Sequence, residues 1–222
     1  MASSLKAYAP LLAWRLGTTP AALYERQRAL VREGMLDQSA GRGPGSGVQV
    51  GLYPVALLLV AVLATDSLSE TAERVRIFAA AKAIAANGLC PLTGQQTFVE
   101  AVARVLDRGQ PHWRKIQCIT VHRTSGHGVI ASRDLSRTDS IFAAQVPIDA
   151  KLRASTRLEV NAMLTSELIK DIAADLQKIA ESEQRGRSAD LQRRHGTEHR
   201  AASRLPRPKS WSRRRLKEGK KP

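Results

Sequence analysis

The chain has 222 residues, 43% of them hydrophobic, so it can bury one sizeable core or two small ones. Its formal net charge of +15 and pI near 10.7 favour an anionic partner such as nucleic acid. Two cysteines exclude a disulfide scaffold and fit a reduced cytoplasm, and we expect no secretory leader.

The first predicted elements are two helices separated by a tight turn. Gly17 supplies a residue that ends a helix, because glycine adopts the left-handed conformation common at helix C-termini. The pair Thr19-Pro20 is a good helix start, since threonine caps N-termini and proline suits the first helical position. The second helix is predicted over residues 20–33.

The second predicted helix has an apolar and a polar side at 3.6 residues per turn. The apolar side, predicted to be core, contains Ala22, Leu23, Ala29 and Leu30. The polar side contains Tyr24, Arg28 and Arg32, with Gln27 at the border. Arginine bonds guanine, glutamine pairs with adenine, and tyrosine contacts phosphate or a thymine methyl, so this side is predicted to read a major groove. Arg26 falls on the apolar side and is expected to reach a phosphate or another helix. The alternative is an ordinary amphipathic surface helix.

The segment Leu11–Leu36 resembles the helix-turn-helix and wing entry of bacterial winged-helix regulators. It is less similar to MerR-type heads, because Gly34 follows Glu25 by nine residues and the second helix is therefore longer. The resemblance covers roughly the first quarter of the chain and implies a DNA-binding head. The candidate DNA-binding residues in these helices and their turn are Thr18, Thr19, Tyr24, Gln27, Arg28 and Arg32.

A glycine-rich loop follows, with four glycines in residues 41–47 and short apolar runs on both sides. This pattern predicts a hairpin, which would be the wing of the head. Arg42, Gly43 and Gly45 are its candidate DNA contacts, because arginine approaches phosphates or the minor groove while bare glycine amides donate to phosphate oxygens. The loop lacks the Gly-Lys-Ser/Thr ending of a P-loop and the third glycine of the dinucleotide motif. A flexible linker is the remaining alternative.

Helices are predicted over the middle of the chain. The apolar run 52–64 is short for a bilayer and has a proline near its start, so we expect a buried helix and no membrane span. Capping-box spacing at Ser67–Glu70 predicts a helix to about Ala86, stopped by Asn87-Gly88. The same spacing at Thr93–Gln96 predicts another helix, with an apolar side formed by Phe98, Val102 and Leu106.

Short β-branched segments begin at about Trp113. Strands are predicted at 116–121, 128–131 and 141–146, with a turn at Thr124–Gly126 between the first two, so we expect a small antiparallel sheet. A capping box at Thr156–Glu159 then predicts a long helix, whose apolar stripe is Leu164, Leu168, Ile172, Leu176 and Ile179. Such a stripe suits dimerisation or packing within the same chain.

The positive charge is concentrated after residue 184. Residues 185–222 hold 14 Lys and Arg against 3 acidic residues, which gives +11 and leaves +4 for residues 1–184. We predict a disordered arm, because its apolar side chains are too few to offset the entropy of folding. Such an arm binds phosphates without reading sequence, or serves only as a solubilising extension. Its candidate nonspecific nucleic-acid contacts are Arg193, Arg194, Arg207, Trp211, Arg213, Arg214 and Arg215.

No catalytic or metal site is predicted. Ser125, His127 and Asp134 lie close in sequence, but polar residues near a turn are usually solvated side chains. The histidine pairs 122/127 and 195/199 lack convincing third and fourth zinc ligands. We therefore expect no enzyme activity, no metal and no cofactor.

Together these patterns predict a mainly α fold with small β elements, in the α+β class. The predicted divisions are a winged helix-turn-helix (1–65), a helical region (66–110), a small sheet plus long amphipathic helix (111–184) and the basic tail (185–222). The expected function is sequence-selective binding of double-stranded DNA by a cytoplasmic, nucleoid-associated transcriptional regulator that forms a homodimer or higher homo-oligomer. The alternatives are a phage-type DNA-packaging or architectural subunit and an RNA- or ribosome-associated basic protein. The DNA site, the sign of regulation and ligand sensing by residues 88–184 stay open.

Overall fold

The structure is a computed structural model that describes residues 3–38, 47–110, 114–134, 139–144 and 159–202, with side chains up to residue 189. The chain divides into two compact units, residues 1–184 and residues 185–222. The predicted domain divisions stay predictions. The mixed α and β content confirms the predicted α+β class.

The second helix and the end of the first form as their sequence signals predict, whereas the first helix begins six residues before Leu11, where the predicted segment starts. Helix α1 (Leu5–Leu16) begins at Ser4, whose Oγ accepts the Ala7 amide at 3.2 Å, and ends at Gly17 with φ of 63°. Helix α2 (Pro20–Arg32) begins at Thr19, whose Oγ1 accepts the Ala22 amide at 3.1 Å. Leucines of both helices pack into the core, among them Leu5, Leu12, Leu23 and Leu30.

The segment after the glycine-rich loop pairs with the start of the chain. Ser4 and Gln49 form an antiparallel bridge. The Leu5 amide donates to the Val48 carbonyl at 2.8 Å, and the Val50 amide donates to the Ser3 carbonyl at 2.9 Å. The sequence analysis did not predict this pairing. The loop itself, residues 39–46, lies outside the described residues, so the predicted hairpin stays a prediction there.

Helix α3 (Leu52–Ala64) is the central element of the compact unit. Nine of its 13 residues are buried, which confirms the predicted buried helix. It contacts α2 and, among the elements that follow it, two helices and two strands. Within the described ranges, no helix combines the length and the apolar composition that a bilayer crossing requires.

The next two helices are shorter than predicted and start at other caps. Helix α4 (Thr71–Ala79) has Glu70 as its N-cap, while the Ser67 hydroxyl bonds Ser69 at 2.9 Å, so the predicted capping box is wrong. The helix ends well before Ala86, because strand β1 (Lys82–Ala83) pairs with a later strand.

Helix α5 (Phe98–Val105) is capped by Thr97 and Glu100, whose side chain accepts the Thr97 amide at 3.3 Å. The start predicted at Thr93 is therefore wrong. The Thr93 side chain accepts the Gln95 amide at 3.4 Å and closes a turn instead.

A five-stranded antiparallel sheet covers the central helix. After β1 its strands are β2 (Ile116–His122), β3 (His127–Ser132), β4 (Ser140–Ala143) and β5 (Asn161–Thr165), in the order β1-β4-β3-β2-β5. The predicted β2–β3 hairpin is confirmed, with Gly126 at φ of 73° in its turn. Strands β1 and β5 were missed. Residues 145–146, the predicted end of the third strand, lie outside the described residues.

Helix α6 (Ser166–Ala202) follows β5 directly. Leu164 therefore belongs to a strand and not to the predicted helical stripe, and the predicted capping box at Thr156–Glu159 precedes a strand. The stripe residues Ile172 and Leu176 are buried in the core of their own chain. Of the two uses expected for the stripe, dimerisation and packing within the same chain, these residues show the second.

In the second unit, residues 185–202 are helical. The prediction of disorder from Arg185 is wrong for these residues, whose alanines and long straight side chains have good helix propensity. Residues 203–222 lie outside the described residues.

Candidate nucleic-acid interface

Helix α2 presents a polar row to solvent. Tyr24, Arg28 and Arg32 are all exposed and follow one another at four-residue spacing, as the helical wheel predicted. Arg28 forms an ion pair with Glu25 at 3.1 Å. Arg32 forms no ion pair within the described part of the chain. An exposed ion pair such as Arg28–Glu25 contributes little to stability. The guanidinium groups of Arg28 and Arg32 are therefore both available to an anionic ligand.

Lys6 extends this polar row onto helix α1. Its Nζ lies 5.4 Å from the centre of the Tyr24 ring, a cation–π contact that adds a third positive charge beside the two arginines. Sequence reasoning missed Lys6, because nothing in a single sequence shows that this position of α1 lies next to Tyr24.

Gln27 does not belong to the exposed row. It is only 7% exposed, and its Oε1 has no hydrogen-bond partner among the described residues. The wheel put Gln27 at the border between the two sides, and the packing of neighbouring elements decides how far a border residue is exposed. That Gln27 reads a base edge stays a prediction, and its burial leaves little of its side chain at the surface.

A polar cleft of about 320 Å³ lies between α2 and the residues that lead into the glycine-rich loop. Its walls are formed by Tyr24, Gln27, Arg28, Val31, Arg32 and Gln38. Gln38 is exposed and was not among the predicted site residues. The cleft brings the arginines of α2 beside the entry to the predicted wing.

The turn threonines have structural roles. Thr19 caps α2 through its hydroxyl. The Thr18 amide donates to the Ala13 carbonyl at 3.0 Å and closes the end of α1. Both residues thus fix the angle between the two helices, and the exposed Thr19 also lies at the N-terminus of α2, where backbone amides favour anions.

Arg26 anchors α2 to the central helix. It is 7% exposed, and its Nη2 donates to the Thr65 carbonyl at 2.9 Å at the C-terminal end of α3. Burial lowers the pKa of Arg26, an effect that the Asp66 carboxylate opposes. The sequence analysis expected Arg26 to reach a phosphate or another helix, and in the structure it contacts the end of α3.

A second arginine reaches the same end of α3 from the sheet. Arg123 donates to the Leu63 carbonyl at 2.6 Å and to the Asp66 carboxylate at 2.5 Å and 3.0 Å. This pairing holds the pKa of Asp66 below its usual range. Cations at a helix C-terminus satisfy its last carbonyls and oppose its dipole. The two arginines thereby fix α2 and the β2–β3 hairpin to one point, a contact that sequence reasoning missed because they lie 97 residues apart.

The remaining predicted contacts lie in other parts of the chain. Arg42, Gly43 and Gly45 of the predicted wing lie outside the described residues. Arg193 and Arg194 fall in α6, where the structure describes only the backbone. The other predicted arm residues, Arg207, Trp211 and Arg213–Arg215, also lie outside the described residues.

Two polar side chains of the β2–β3 hairpin share one carboxylate. Ser125 donates to Glu159 Oε1 at 3.0 Å, and His122 Nδ1 lies 2.9 Å from the same oxygen. These two contacts hold the pKa of Glu159 below its usual range. Ser125 and His122 thus meet a shared carboxylate, and Asp134 lies beyond the end of β3 opposite to His127. Within the described residues no group of three or more His, Cys, Asp or Glu side chains could hold a metal ion.

Comparison with protein-family models, curated proteins and solved structures finds no match to this chain. Function is therefore inferred from the residues and contacts of the chain itself.

Proposed function

We propose that this protein binds double-stranded DNA sequence-selectively and is, most simply, a transcriptional regulator. The observation that carries the proposal is the exposed row of Tyr24, Arg28 and Arg32 on a helix that follows a tight turn. An α-helix fits the B-DNA major groove, and arginine is the side chain that most often reads guanine there.

The neighbours of α2 support the same function. Lys6 and Gln38 flank the row and supply phosphate contacts, which position a protein on DNA without reading sequence. Arg26 holds α2 rigidly from behind through α3. In this proposal Arg42, Gly43 and Gly45 contact the backbone or the minor groove.

The proposal extends to assembly and location. Two copies would bind a two-fold symmetric site, as helix-turn-helix proteins commonly do. The basic residues after Arg185 would add salt-sensitive affinity. A regulator of this kind acts on the DNA of the nucleoid, in the cytoplasm.

The test is to select duplexes from a random library with the full-length protein and measure affinities by fluorescence anisotropy near physiological salt. We expect an enriched sequence, and we expect Arg32→Ala to weaken binding to it about ten- to a hundredfold. Binding to scrambled duplex should fall much less, because only the selected duplex offers the base contact.

Arg74→Ala is the matched control, because Arg74 lies on α4 in an ion pair with Glu70 and does not line the cleft beside the row. It should leave both affinities unchanged. Equal losses on both duplexes would reduce Arg32 to a phosphate contact. If the protein binds no duplex, or binds RNA better than any enriched DNA, the proposal is wrong.

A further inference from the structure

A cavity of about 370 Å³ opens between the start of α3, the residues after α5 and α6. Its apolar lining is formed mainly by Leu52, Leu106, Leu176 and Ile179. Leu106 and Leu176 are almost fully buried and Leu52 is exposed, so the cavity is an open pocket whose floor belongs to the core. Cavities of this size with apolar walls and few polar groups are typical of small-molecule sites.

The charged groups around the cavity favour a positively charged ligand. Glu183 lines it, is half-buried, and accepts the Ser3 amide at 2.6 Å. An amide N–H carries no net charge, so this contact orients the carboxylate without neutralising it. Asp107, the other acid of the lining, forms an ion pair with Arg104 at 3.3 Å.

Arg108 also lines the cavity, but its side chain is exposed and its charge is screened by solvent. The half-buried carboxylate of Glu183 is therefore the charge that an occupant of the cavity meets most strongly.

We propose that this cavity binds a compact, mainly apolar amine. The apolar body packs against Leu52, Leu106 and Leu176, and the ammonium group faces the Glu183 carboxylate. The cavity lies at the small end of the usual size range of small-molecule sites, which favours a compact ligand. This site is separate from the α2 row, and its test does not depend on DNA binding.

The experiment titrates the full-length, ¹⁵N-labelled protein with three probes of nearly equal shape. These are phenethylamine, neutral 2-phenylethanol and anionic 3-phenylpropionate, at one pH and one salt concentration. We expect saturable amide shifts at Leu52, Leu176 and Ala180, with affinity in the order amine, alcohol, acid. Glu183→Gln should weaken the amine about fivefold and leave the alcohol nearly unchanged.

Two matched pairs of variants separate the site from general effects on α6. Ala180→Leu places a larger side chain in the lining and should weaken all three probes, whereas Lys178→Leu adds the same side chain outside the lining and should not. Glu181→Gln removes an exposed charge outside the lining and is the control for Glu183→Gln. Each variant is first checked for an unchanged far-UV spectrum and melting profile.

The proposal is overturned if none of the probes gives saturable shifts, or if Ala180→Leu and Lys178→Leu act alike. If 3-phenylpropionate binds as tightly as phenethylamine, the assignment of the ligand as an amine is wrong. If the probes fail and Ala180→Leu lowers the mass measured by light scattering, the cavity holds a second copy of this chain instead.

Discussion

Gly128 in strand β3 lies directly against the ring of Phe98. A Cβ at this position would lie 2.7 Å from two atoms of the ring, closer than real Cβ contacts come. Phe98 is fully buried and also packs against Phe142, with ring centres 5.4 Å apart. The ring therefore has little room to move, and the close approach of α5 to the sheet requires glycine.

Gly128→Ala should accordingly destabilise the protein by about 1–3 kcal/mol, the usual cost of overpacking a core. Urea denaturation followed by circular dichroism measures the change in the free energy of unfolding. Gly51→Ala is the control, because its Cβ would meet Pro54 Cδ at an ordinary 3.5 Å. Equal stability of the two variants would contradict the tight packing of Phe98.

At the residue scale, the sequence predicts the direction of a side chain better than its surroundings. The wheel put Tyr24, Arg28 and Arg32 on the exposed side of α2, where they are found. It placed Arg26 on the apolar side but did not identify the carbonyls at the end of α3 that Arg26 meets. Burial of Gln27 was missed because a border position is decided by neighbouring elements, which a wheel does not contain.

Between elements, a partly buried ion pair joins α1 to α6. Arg15 Nε donates to Asp175 at 2.6 Å, and Arg15 also pairs with the exposed Asp171 at 2.7 Å. The hydrogen bond to Asp175 raises the pKa of Arg15. Burial, and secondarily the nearby Asp175 charge, raise the pKa of Tyr8, so its hydroxyl stays neutral. Asp175 is only 7% exposed, so its negative charge depends on Arg15 for compensation.

Arg15→Met should therefore lower the free energy of unfolding by about 1–3 kcal/mol, because it leaves the Asp175 carboxylate, which is little exposed, without its partner. The double variant Arg15→Met, Asp175→Leu should recover most of this loss, since it removes both charges. Chemical denaturation of both single variants and the double variant completes the cycle. Arg74→Met, which removes the exposed pair with Glu70, should cost less than about 1 kcal/mol. A double variant as unstable as Arg15→Met would contradict this account.

Elements specified by local signals were predictable, and those specified by distant partners were not. Helices α1, α2 and α3 and the β2–β3 hairpin follow from caps, apolar runs and a glycine turn. Strand β1 is only Lys82–Ala83 and lies in an alanine-rich run that favours helix, so its pairing with β4 decides its conformation. Strand β5 exists because β2, some 40 residues earlier, offers it an edge.

For the compact unit as a whole, α3 is the element around which the others pack. It contacts α2 on the side of the candidate interface and β2 and β5 in the sheet, and all belong to one buried cluster. Residues 1–184 form one compact unit, and sequence periodicity shows that a face is apolar but not which face it meets.

Residues 1–184 should consequently unfold in one cooperative transition. We expect the slowest-exchanging amides of α2, α3 and β3, represented by Leu23, Leu58 and Ile130, to give the same opening free energy in native-state hydrogen exchange. Added urea should lower the three values together. An opening free energy for Leu23 that is lower by several kcal/mol would mean that the helix-turn-helix unfolds separately from the sheet.

The meeting of Arg26, Arg123 and Asp66 at the end of α3 also constrains how this protein can evolve. Each arginine satisfies backbone carbonyls that remain whatever side chains change, so loss of one arginine leaves a buried acceptor unpaired. A second substitution cannot restore a donor to a backbone carbonyl, so each arginine is constrained by itself. Among descendants of this chain, residues 26 and 123 should keep a long donor side chain, whereas the exposed Asp66 should vary more freely.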